Sequence, residues 1–510
     1  MHTANAIVYA MLLTGFLLSL TAIIELGVHL ISSRHVRARK IVSWLALLIL
    51  LSSSVIILVF ASSLFTALLL LLTLYRAFNL LRIIKGRMHE RYLQRVTYRT
   101  SLALILLQAV EMSIWVVYAH FHVTSYSLLA GILTLQAIAA FVLYKNVLRH
   151  SQRMRAVSLL EAVHDKDLPS LTIAIPARNE TEQLYECITS LLASHYPKLE
   201  ILVLDDCSQS PRTHEIIKGF AHAGVRFIKG SEPSDTWLAK NQAYDTLAKA
   251  ASGEWLFFAG VDIRLDVSSL RQLVGYALAK QKDMICVMPH NVLYHDQWPL
   301  VQPMRYLWEL ALPRRTFDKP PVLSSSWLVR REALVKAGGF EAASRMVVPE
   351  AYFAKKMLEH DSYAFLASGT TLGVTSVKDV LEQRETAIRV SYPQTHRRPE
   401  AVALLTLGYI AWIAAPLTLI ITIALDGRYD ILLVAALVIM LLCGLLYKTI
   451  LQLAYGKAHL MHIFSFPLAV LVYVVLFNYS MYKYEFSEVI WKGRNVCLPV
   501  MHVVPRLPHA

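Results

Sequence analysis

The sequence predicts an α/β domain inserted between two blocks of membrane-spanning helices. Of the 510 residues, 56% are hydrophobic and only 17% are charged, which is well below the charged fraction of a typical soluble protein. The apolar residues are concentrated at both ends of the chain, whereas residues 168–400 alternate short β-branched runs with helical patterns. We therefore expect a transmembrane block of about five helices in residues 1–155, an α/β domain in residues 156–400, and a block of about three helices with a tail in residues 401–510.

Long apolar runs define the first block. Glu25 is the only Asp, Glu, Lys or Arg before Arg34, and residues 41–75 contain none. A single helix over residues 41–75 would be much longer than the hydrocarbon core of about 30 Å, so two spans with a turn near Ser62 fit better. Because no basic segment precedes the first apolar run and further spans follow, we do not expect a cleavable signal peptide. The remaining predicted spans of this block are Ser101–Tyr118 and Ser125–Tyr144.

Basic residues lie on alternate sides of these spans. They follow the first, third and fifth spans, whereas the loops near Ser62 and at Ala119–Thr124 contain no Lys or Arg. The positive-inside rule then predicts a multi-pass membrane protein with its N-terminus outside and the region after Arg155 in the cytoplasm. This topology explains the net charge of +14, so we expect no nucleic-acid partner. The basic residues concerned are Arg34, Arg37, Arg39, Lys40, Arg82, Lys85, Arg87, Arg91, Arg95, Arg99, Lys145, Arg149, Arg153 and Arg155.

The C-terminal block contains three apolar runs, at about residues 401–425, 431–447 and 462–480. Three full crossings would leave Trp491–Arg494 on the outer side of the membrane, opposite to the α/β domain. If the tail instead contacts the domain, one of these segments must be re-entrant. The sequence leaves both arrangements open.

The number and spacing of the cysteines argue against a zinc site, a redox pair and a disulfide scaffold. Only five are present, and none form a Cys-x-x-Cys pair. This spacing predicts neither a zinc site nor a redox pair, and it excludes a disulfide scaffold.

The α/β domain shows short apolar runs separated by amphipathic stretches. This alternation predicts a mostly parallel sheet covered by helices, with ligands bound beyond the carboxyl ends of the strands. The predicted strands are Leu171–Pro176, Leu199–Leu204, Val225–Lys229, Glu254–Phe258 and Met284–Met288, and the predicted helices are Glu182–Ser194, Thr236–Ala251 and Ser268–Gln281.

Polar residues follow the predicted strands at the edge where ligands bind. Arg178–Glu180 follow the first strand, Asp205 and Asp206 the second, and Asp262 the fourth. Carboxylates in this arrangement fit a site that holds a ribose and base by hydrogen bonds and a diphosphate through Mg²⁺ or Mn²⁺. The alternative is that these residues only begin turns or cap helices.

In its ordered motifs the chain resembles the membrane-bound members of glycosyltransferase family 2. The resemblance extends from Leu171 to about Val496, and the tail is similar to that of ceramide-glucosyltransferase-like and carotenoid-glycosyltransferase-like enzymes. It implies a GT-A nucleotide-sugar-binding fold and inverting transfer from a nucleotide diphosphate sugar, a UDP-sugar in many members, to a lipid hydroxyl at the bilayer. The motifs are IPARNE, EILVLDDCS, TWLAKNQA, GEWLFFAGVDIRL, LVRREALVKAGGF, VVPEAYFAKKM and VIWKGRNV.

The resemblance implies a role for each matching residue. Glu350 would be the general base, and Asp262 would bind the metal. The other donor-binding positions would be Pro176, Arg178, Asn179, Glu180, Asp205, Asp206, Trp237 and Lys240. Acceptor and pyrophosphate contacts would come from the tail residues Trp491, Lys492 and Arg494 and from Gln394, Arg397 and Arg398, which resemble a Gln-x-x-Arg-Trp segment without its Trp. The alternative for Gln394–Arg398 is a juxtamembrane anchor on anionic lipid headgroups.

Three positions depart from the family pattern. Gly260 replaces the first Asp of the Asp-x-Asp metal motif, Glu350 replaces the usual Asp of the base site, and Val496 replaces a Tyr. These departures keep two alternatives to a lipid-directed enzyme open. One is a catalytically inactive membrane scaffold that binds nucleotide, and the other is a processive polysaccharide synthase.

Residues 295–321 combine aromatic, apolar and basic side chains. Trp298, Tyr306 and Trp308 predict an interfacial segment with its rings at headgroup depth. The alternative is an ordinary helix packed on the sheet.

Overall fold

The computed structural model describes most of the chain. The described residues are 2–30, 36–59, 64–85, 91–120, 125–155, 164–234, 236–292, 298–311, 320–369, 372–425, 431–456 and 458–496. Contacts within the chain divide it into two compact units. The first unit comprises residues 1–137, 391–440 and 474–487, and the second comprises residues 138–390, 441–473 and 488–510.

Helices form both ends of the chain and alternate with strands between them. In chain order they are α1 (His2–Leu30), α2 (Val36–Val59), α3 (Leu64–Ile84), α4 (Arg91–His120), α5 (Ser125–Arg155), α6 (Glu182–Leu192), α7 (Pro211–Gly219), α8 (Ala239–Ala250), α9 (Ser269–Ala279), α10 (Gln302–Ala311), α11 (Arg331–Lys336), α12 (Gly339–Ala342), α13 (Pro349–Leu358), α14 (Val380–Gln394), α15 (Pro399–Leu425), α16 (Ile431–Tyr455) and α17 (Phe466–Phe486).

The strands occur between residues 171 and 376, with a short hairpin near the C-terminus. They are β1 (Leu171–Ala177), β2 (Leu199–Asp205), β3 (Val225–Lys229), β4 (Trp255–Ala259), β5 (Ile263–Leu265), β6 (Met284–Met288), β7 (His290–Asn291), β8 (Ser326–Arg330), β9 (Tyr363–Ala367), β10 (Val374–Ser376), β11 (Ile490–Trp491) and β12 (Arg494–Asn495).

Within the described residues, five helices are long and apolar enough to cross a membrane. They lie at Ala38–Val59, Thr66–Ile84, Pro399–Ile421, Leu433–Tyr455 and Phe466–Phe486. These agree with the second, third and C-terminal predicted spans. The first predicted span contains a shorter apolar segment, Leu13–Val28, and the fourth and fifth lie within α4 and α5. Crossing by these three, the orientation of the chain and the region boundaries after residues 155 and 400 stay predictions.

Buried ion pairs connect the helices of the first unit. The guanidinium of Arg76 on α3 lies 2.8 Å from the Glu25 carboxylate on α1, and both side chains are almost fully buried. Arg82 pairs in the same way with Glu485 at 2.7 Å. A buried charge is tolerated only when it is paired. Glu25, for which the sequence gives no role, is therefore a structural partner of Arg76.

The second unit is built on a mixed seven-stranded sheet in its described residues, in the order β3-β2-β1-β4-β8-β6-β9. The strand β8 runs antiparallel to both β4 and β6, and the other neighbours are parallel. The prediction of a mostly parallel sheet is thus confirmed except at β8. The strands β8 and β9 were not predicted.

The core of this unit explains why the sheet forms. Buried apolar residues of β1, β2 and β4, such as Ile173, Val203 and Phe257, pack against the apolar face of α6, including Leu184 and Ile188. The regular spacing of apolar residues in Glu182–Ser194 and the continuous apolar strands are typical of this sheet–helix packing. The predicted elements agree with α6, α8 and α9 to within three residues at each end.

The predicted interfacial segment lies partly outside the described residues, which include 298–311 and 320–321. Trp298 is 58% exposed, and its location at a membrane interface stays a prediction. Tyr306 differs, because it is fully buried and its hydroxyl hydrogen-bonds with the side chains of Asn291 and Gln302. Tyr306 therefore belongs to the packed interior of the second unit rather than to a lipid-facing surface.

Candidate active site

The ends of β1 and β2 lie side by side and begin the site. Ala177 and Asp205 are paired in register, so the residues that follow them are neighbours. The guanidinium of Arg178 donates hydrogen bonds to the backbone oxygens of Asp206, at 2.6 Å, and Cys207, at 2.8 Å. Arg178 thus joins the two strand ends and fixes the direction in which Asp206 points.

Asn179 and Asp205 shape the turns after these strands. Asn179 has a left-handed backbone with φ of 49°, a conformation that Asn adopts more readily than most residues. Its side-chain oxygen accepts a hydrogen bond of 2.8 Å from the backbone of Gln209. Asp205 accepts one of 3.0 Å from Ser208 and lies 2.8 Å from the ring of His214. Both predicted donor-binding residues therefore use their side chains to hold the loop.

The C-terminal hairpin β11–β12 contacts the same edge of the sheet. Lys492 lies 2.6 Å from the carboxylate of Glu180, and Arg494 lies 2.6 Å from that of Asp206. Burial raises the pKa of Glu180 and of Asp206, and the adjacent Lys492 and Arg494 partly offset these rises. The tail therefore contacts the domain, whereas the number of membrane crossings and the side on which the tail lies stay predictions.

Two residues at the hairpin turn have left-handed backbones, which is typical of tight hairpins. These are Lys492, with φ of 49°, and Gly493, with φ of 78°. The turn presents the ring of Trp491 to Arg389, whose guanidinium carbon lies 4.8 Å from the ring centroid. The hairpin thus supplies an aromatic face and two cations to the site.

Asp262 lies in the loop between β4 and β5 and is almost fully buried. One of its oxygens, Oδ2, accepts a hydrogen bond of 3.0 Å from the Ser376 hydroxyl and lies 3.3 Å from the Lys378 ammonium. Burial would raise the pKa of this carboxyl, but Lys378 and Ser376 outweigh burial and hold the pKa below its ordinary value. Asp262 is therefore an ionised carboxylate with a lysine as its partner.

The residues around Asp262 do not fit the predicted metal site. Within the described part of the chain, no three His, Cys, Asp or Glu side chains are grouped so that they could hold a metal ion. A Cβ built on Gly260 would lie 2.5 Å from Oδ1 of Asp262, so Asp262 occupies space that a side chain at position 260 would need. We therefore derive no step of the reaction through a metal ion.

Lys240 and Glu350 form a second ion pair near the site. Lys240 Nζ lies 3.0 Å from Glu350 Oε1, and the Ser324 hydroxyl donates a hydrogen bond of 3.1 Å to Oε2. Glu350 is fully buried, whereas 26% of the Lys240 side chain is exposed. Burial lowers the pKa of Lys240, against the opposing effect of Glu350. Glu350, the predicted base, is thus in contact with the cavity-lining side chains of Lys240 and Ser324.

An aromatic cluster fixes the positions of both members of this pair. Phe258 and Trp327 stack with ring centroids 4.3 Å apart, and Tyr244 and Phe353 pack against Trp327. Tyr244 lies one helical turn after Lys240 on α8, and Phe353 lies one turn after Glu350 on α13. Because the rings are anchored in the core, the two helices hold their charged ends at a defined separation.

A single cavity of the second unit brings many of the predicted residues together. Arg178, Glu180, Asp206, Lys240 and Asp262 line it together with Pro176, Trp491 and Lys492. Four further predicted residues contact lining residues. Asn179 donates a hydrogen bond of 3.4 Å to the backbone oxygen of Lys492, Asp205 pairs with Ala177, Glu350 with Lys240, and Arg494 with Asp206. Residues that the sequence analysis missed also line the cavity, namely Tyr244, Arg305, Ser324, Ser376, Lys378 and Arg389.

The remaining predicted residues have other surroundings. Trp237 is half-buried, and its backbone donates a hydrogen bond of 3.0 Å to Ser234. Gln394, Arg397 and Arg398 belong to the first unit. There the Arg397 guanidinium lies 3.6 Å from Glu485, and Arg398 lies 3.9 Å from Glu400. Their predicted role in acceptor and pyrophosphate binding stays a prediction.

Comparisons with known proteins identify the domain that contains the cavity. Residues 172–338 match the model of the family "Glycosyl transferase family 2". No curated protein matches the chain. Among solved structures, the mannosyltransferase PcManGT from Pyrobaculum calidifontis, in complex with GDP-Man and Mn²⁺, is similar at 16% identity and a TM-score of 0.43, over 68% of this chain and 99% of that one. TarS from S. aureus is similar at 12% identity and a TM-score of 0.31, over 62% of this chain and 55% of that one.

The family match over residues 172–338 shows that the chain contains a glycosyltransferase family 2 domain and that this protein is a glycosyltransferase.

Proposed function

We propose that this protein transfers a sugar from a nucleotide diphosphate sugar, with UDP as the preferred nucleotide, to the hydroxyl of a membrane lipid. The observation that carries the proposal is the cavity of the family 2 domain, in which carboxylates suited to a nucleoside lie beside cations suited to a diphosphate. Its cationic lining residues are Arg178, Lys240, Arg305, Lys378, Arg389 and Lys492. A diphosphate is bound most strongly where such cations are already in place.

Each end of the donor has matching groups in the cavity. Glu180 and Asp206 accept hydrogen bonds from the ribose and base, and the ring of Trp491 offers an apolar face. Lys240 and Lys492 reach the diphosphate as point charges, which a flexible lysine does well. In the free enzyme Lys492 is paired with Glu180. When the donor binds, the diphosphate replaces Glu180 as the anionic partner of Lys492.

Glu350 acts as the base in this proposal. The acceptor oxygen forms a bond to the anomeric carbon while the bond from that carbon to the diphosphate oxygen breaks, and the hydroxyl proton passes to the Glu350 carboxylate. In-line attack inverts the anomeric configuration. Lys240 holds the Glu350 carboxylate in place through their ion pair, and the cations of the cavity stabilise the leaving diphosphate.

Membrane attachment supports a lipid acceptor. Five described helices are long and apolar enough to span a bilayer, and the C-terminal hairpin motif is similar to that of ceramide-glucosyltransferase-like and carotenoid-glycosyltransferase-like enzymes. Because the hairpin contacts Glu180 and Asp206, one of the three C-terminal helices does not cross the membrane completely in our proposal. A cytoplasmic location of the domain is part of the same proposal.

The test is to incubate the purified protein with a panel of nucleotide sugars and a total lipid extract, followed by mass spectrometry of the lipids. We expect a lipid carrying one added sugar, formed from one donor of the panel. Nucleotide binding without sugar transfer would instead favour the inactive scaffold. A polymeric sugar product would favour the polysaccharide synthase.

A further inference from the structure

We propose that Lys378 replaces the divalent metal ion of this site and binds the donor diphosphate directly, so that donor binding needs no metal. The inference rests on the proposed function, because it requires a diphosphate donor in the cavity. It assigns a role to a residue that the sequence motifs do not include.

The first support is the rigid placement of Lys378 against Asp262. The small sheet β5-β10-β7 pairs Ser376 with Ile263, and the backbone of Val377 donates a hydrogen bond of 2.9 Å to the backbone oxygen of Asp262. The backbone pairing alone therefore places residue 378 next to Asp262, independently of its side chain. The ion pair of 3.3 Å follows from this register.

The second support is the surroundings of the Asp262 carboxylate. Oδ2 faces Ser376 and Lys378, and Oδ1 lies 2.5 Å from the position that a Cβ of residue 260 would take. An Asp at position 260 would require Asp262 to move. Gly260 is thus consistent with the ion pair between Lys378 and Asp262 and not with a metal site built from two carboxylates.

The third support is the charge balance. A divalent cation held by two aspartates is electrically neutral overall, and so is one aspartate with one lysine. This chain has Gly260 in place of one carboxylate and has the Lys378 ammonium beside Asp262, so the pair next to the diphosphate is also neutral overall. A lone carboxylate is also a poor ligand set for Mg²⁺ or Mn²⁺, which need several oxygen ligands.

The fourth support is that Lys378 faces the ligand space. It lines the cavity, and 20% of its side chain is exposed. An ammonium has more N–H donors than the contact with Asp262 requires, so the remaining donors are available to phosphate oxygens. Lys240 and Lys492 line the same cavity and supply further positive charge.

The experiment measures the affinity for UDP and GDP by calorimetry, in excess chelator and in excess Mn²⁺, for the full-length protein in detergent. For the wild type we expect the same affinity in both conditions. For Lys378→Gln in chelator we expect a loss of about tenfold, which corresponds to about 1.4 kcal/mol. Lys378→Arg keeps the cation and should recover most of the affinity.

The control variant is Lys249→Gln, which removes a lysine from an exposed ion pair with Asp245 on α8. We expect it to bind like the wild type. Wild-type binding that requires Mn²⁺, or wild-type affinity in Lys378→Gln, would overturn the inference. If the wild type binds neither nucleotide in either condition, the proposed function fails, and this inference fails with it.

Discussion

The ammonium of Lys240 lies 3.0 Å from the carboxylate of Glu350, which is fully buried. The pair joins a donor-side cation to the proposed base, because Lys240 lines the cavity and Glu350 lies directly behind it. Donor binding and the contacts of Glu350 are therefore coupled. In our proposal, a diphosphate that attracts Lys240 loosens the contact between Lys240 and Glu350.

The coupling predicts a specific effect of Glu350→Gln. Glutamine keeps the shape of the side chain but cannot take a proton, so turnover should fall by about 10²–10⁴-fold while donor affinity stays nearly unchanged. The variant also leaves Lys240 without its counter-charge and should unfold at a lower temperature. Because 26% of Lys240 is exposed, this loss should be smaller than the about 3–5 kcal/mol of a broken, fully buried pair.

The double variant Glu350→Gln/Lys240→Met separates the two effects. It removes both charges, so thermal stability should return toward that of the wild type, whereas turnover should stay low. The measurements are thermal unfolding and steady-state kinetics of the same preparations. Wild-type turnover in Glu350→Gln would show that Glu350 is only structural.

Donor binding should weaken at alkaline pH. Burial lowers the pKa of Lys240 below that of a free lysine. The side chain is charged below this pKa and neutral above it, so affinity for UDP should fall as the pH rises through the lowered pKa. Lys240→Arg stays charged throughout and should lose this alkaline decrease. The check is UDP affinity as a function of pH, and an identical decrease in both proteins would assign it to another group.

The C-terminal hairpin should contribute to donor affinity. Gly493 has φ of 78°, and Gly493→Ala should cost about 1 kcal/mol because a Cβ disfavours this conformation. Gly224→Ala is the matched control, because Gly224 has φ of 80° in a turn before β3. A Cβ added at either glycine would have no neighbour within 4 Å, so the two variants differ from the wild type only in backbone strain. Both variants should lose similar stability, but only Gly493→Ala should bind UDP more weakly. Equal nucleotide affinities would separate the hairpin from the donor site.

The predicted topology can be tested with single cysteines. Ser252 is exposed in the second unit, and Ser252→Cys should react with a membrane-impermeant thiol reagent only after cells are permeabilised. Thr124→Cys should react in intact cells, because Ala119–Thr124 is predicted to be external. The native cysteines of the parent protein give the background. Reaction of Ser252→Cys in intact cells would reverse the proposed orientation.

Local patterns were sufficient to predict most of the sheet. The apolar runs that form β1, β2 and β3 end in polar turns. The helical spacing of apolar residues in Glu182–Ser194 predicts the helix α6. The strand β8 was missed for a physical reason. It continues directly into α11, so periodicity cannot distinguish a strand from a helix there.

The strand pattern alone predicted only those cavity residues that follow strands. Arg178, Glu180, Asp206 and Asp262 follow β1, β2 and β4, whereas Lys240, Trp491 and Lys492 were expected only through the family resemblance. Ser376 lies 114 residues after Asp262, and its contact depends on the pairing of β5 with β10. No spacing rule in a single sequence reveals such a partner. Lys378 was missed for the same reason.

The most direct test of the central claim is the transfer of labelled sugar to lipid. Wild-type protein, Lys249→Gln and Glu350→Gln are each incubated with a nucleotide sugar labelled in its sugar and with a total lipid extract, and the label in the lipid fraction is followed over time. The account predicts equal accumulation with the wild type and Lys249→Gln, and about 10²–10⁴-fold slower accumulation with Glu350→Gln. Absence of label from the lipid fraction with every nucleotide sugar tried, or equal rates for all three proteins, would contradict it.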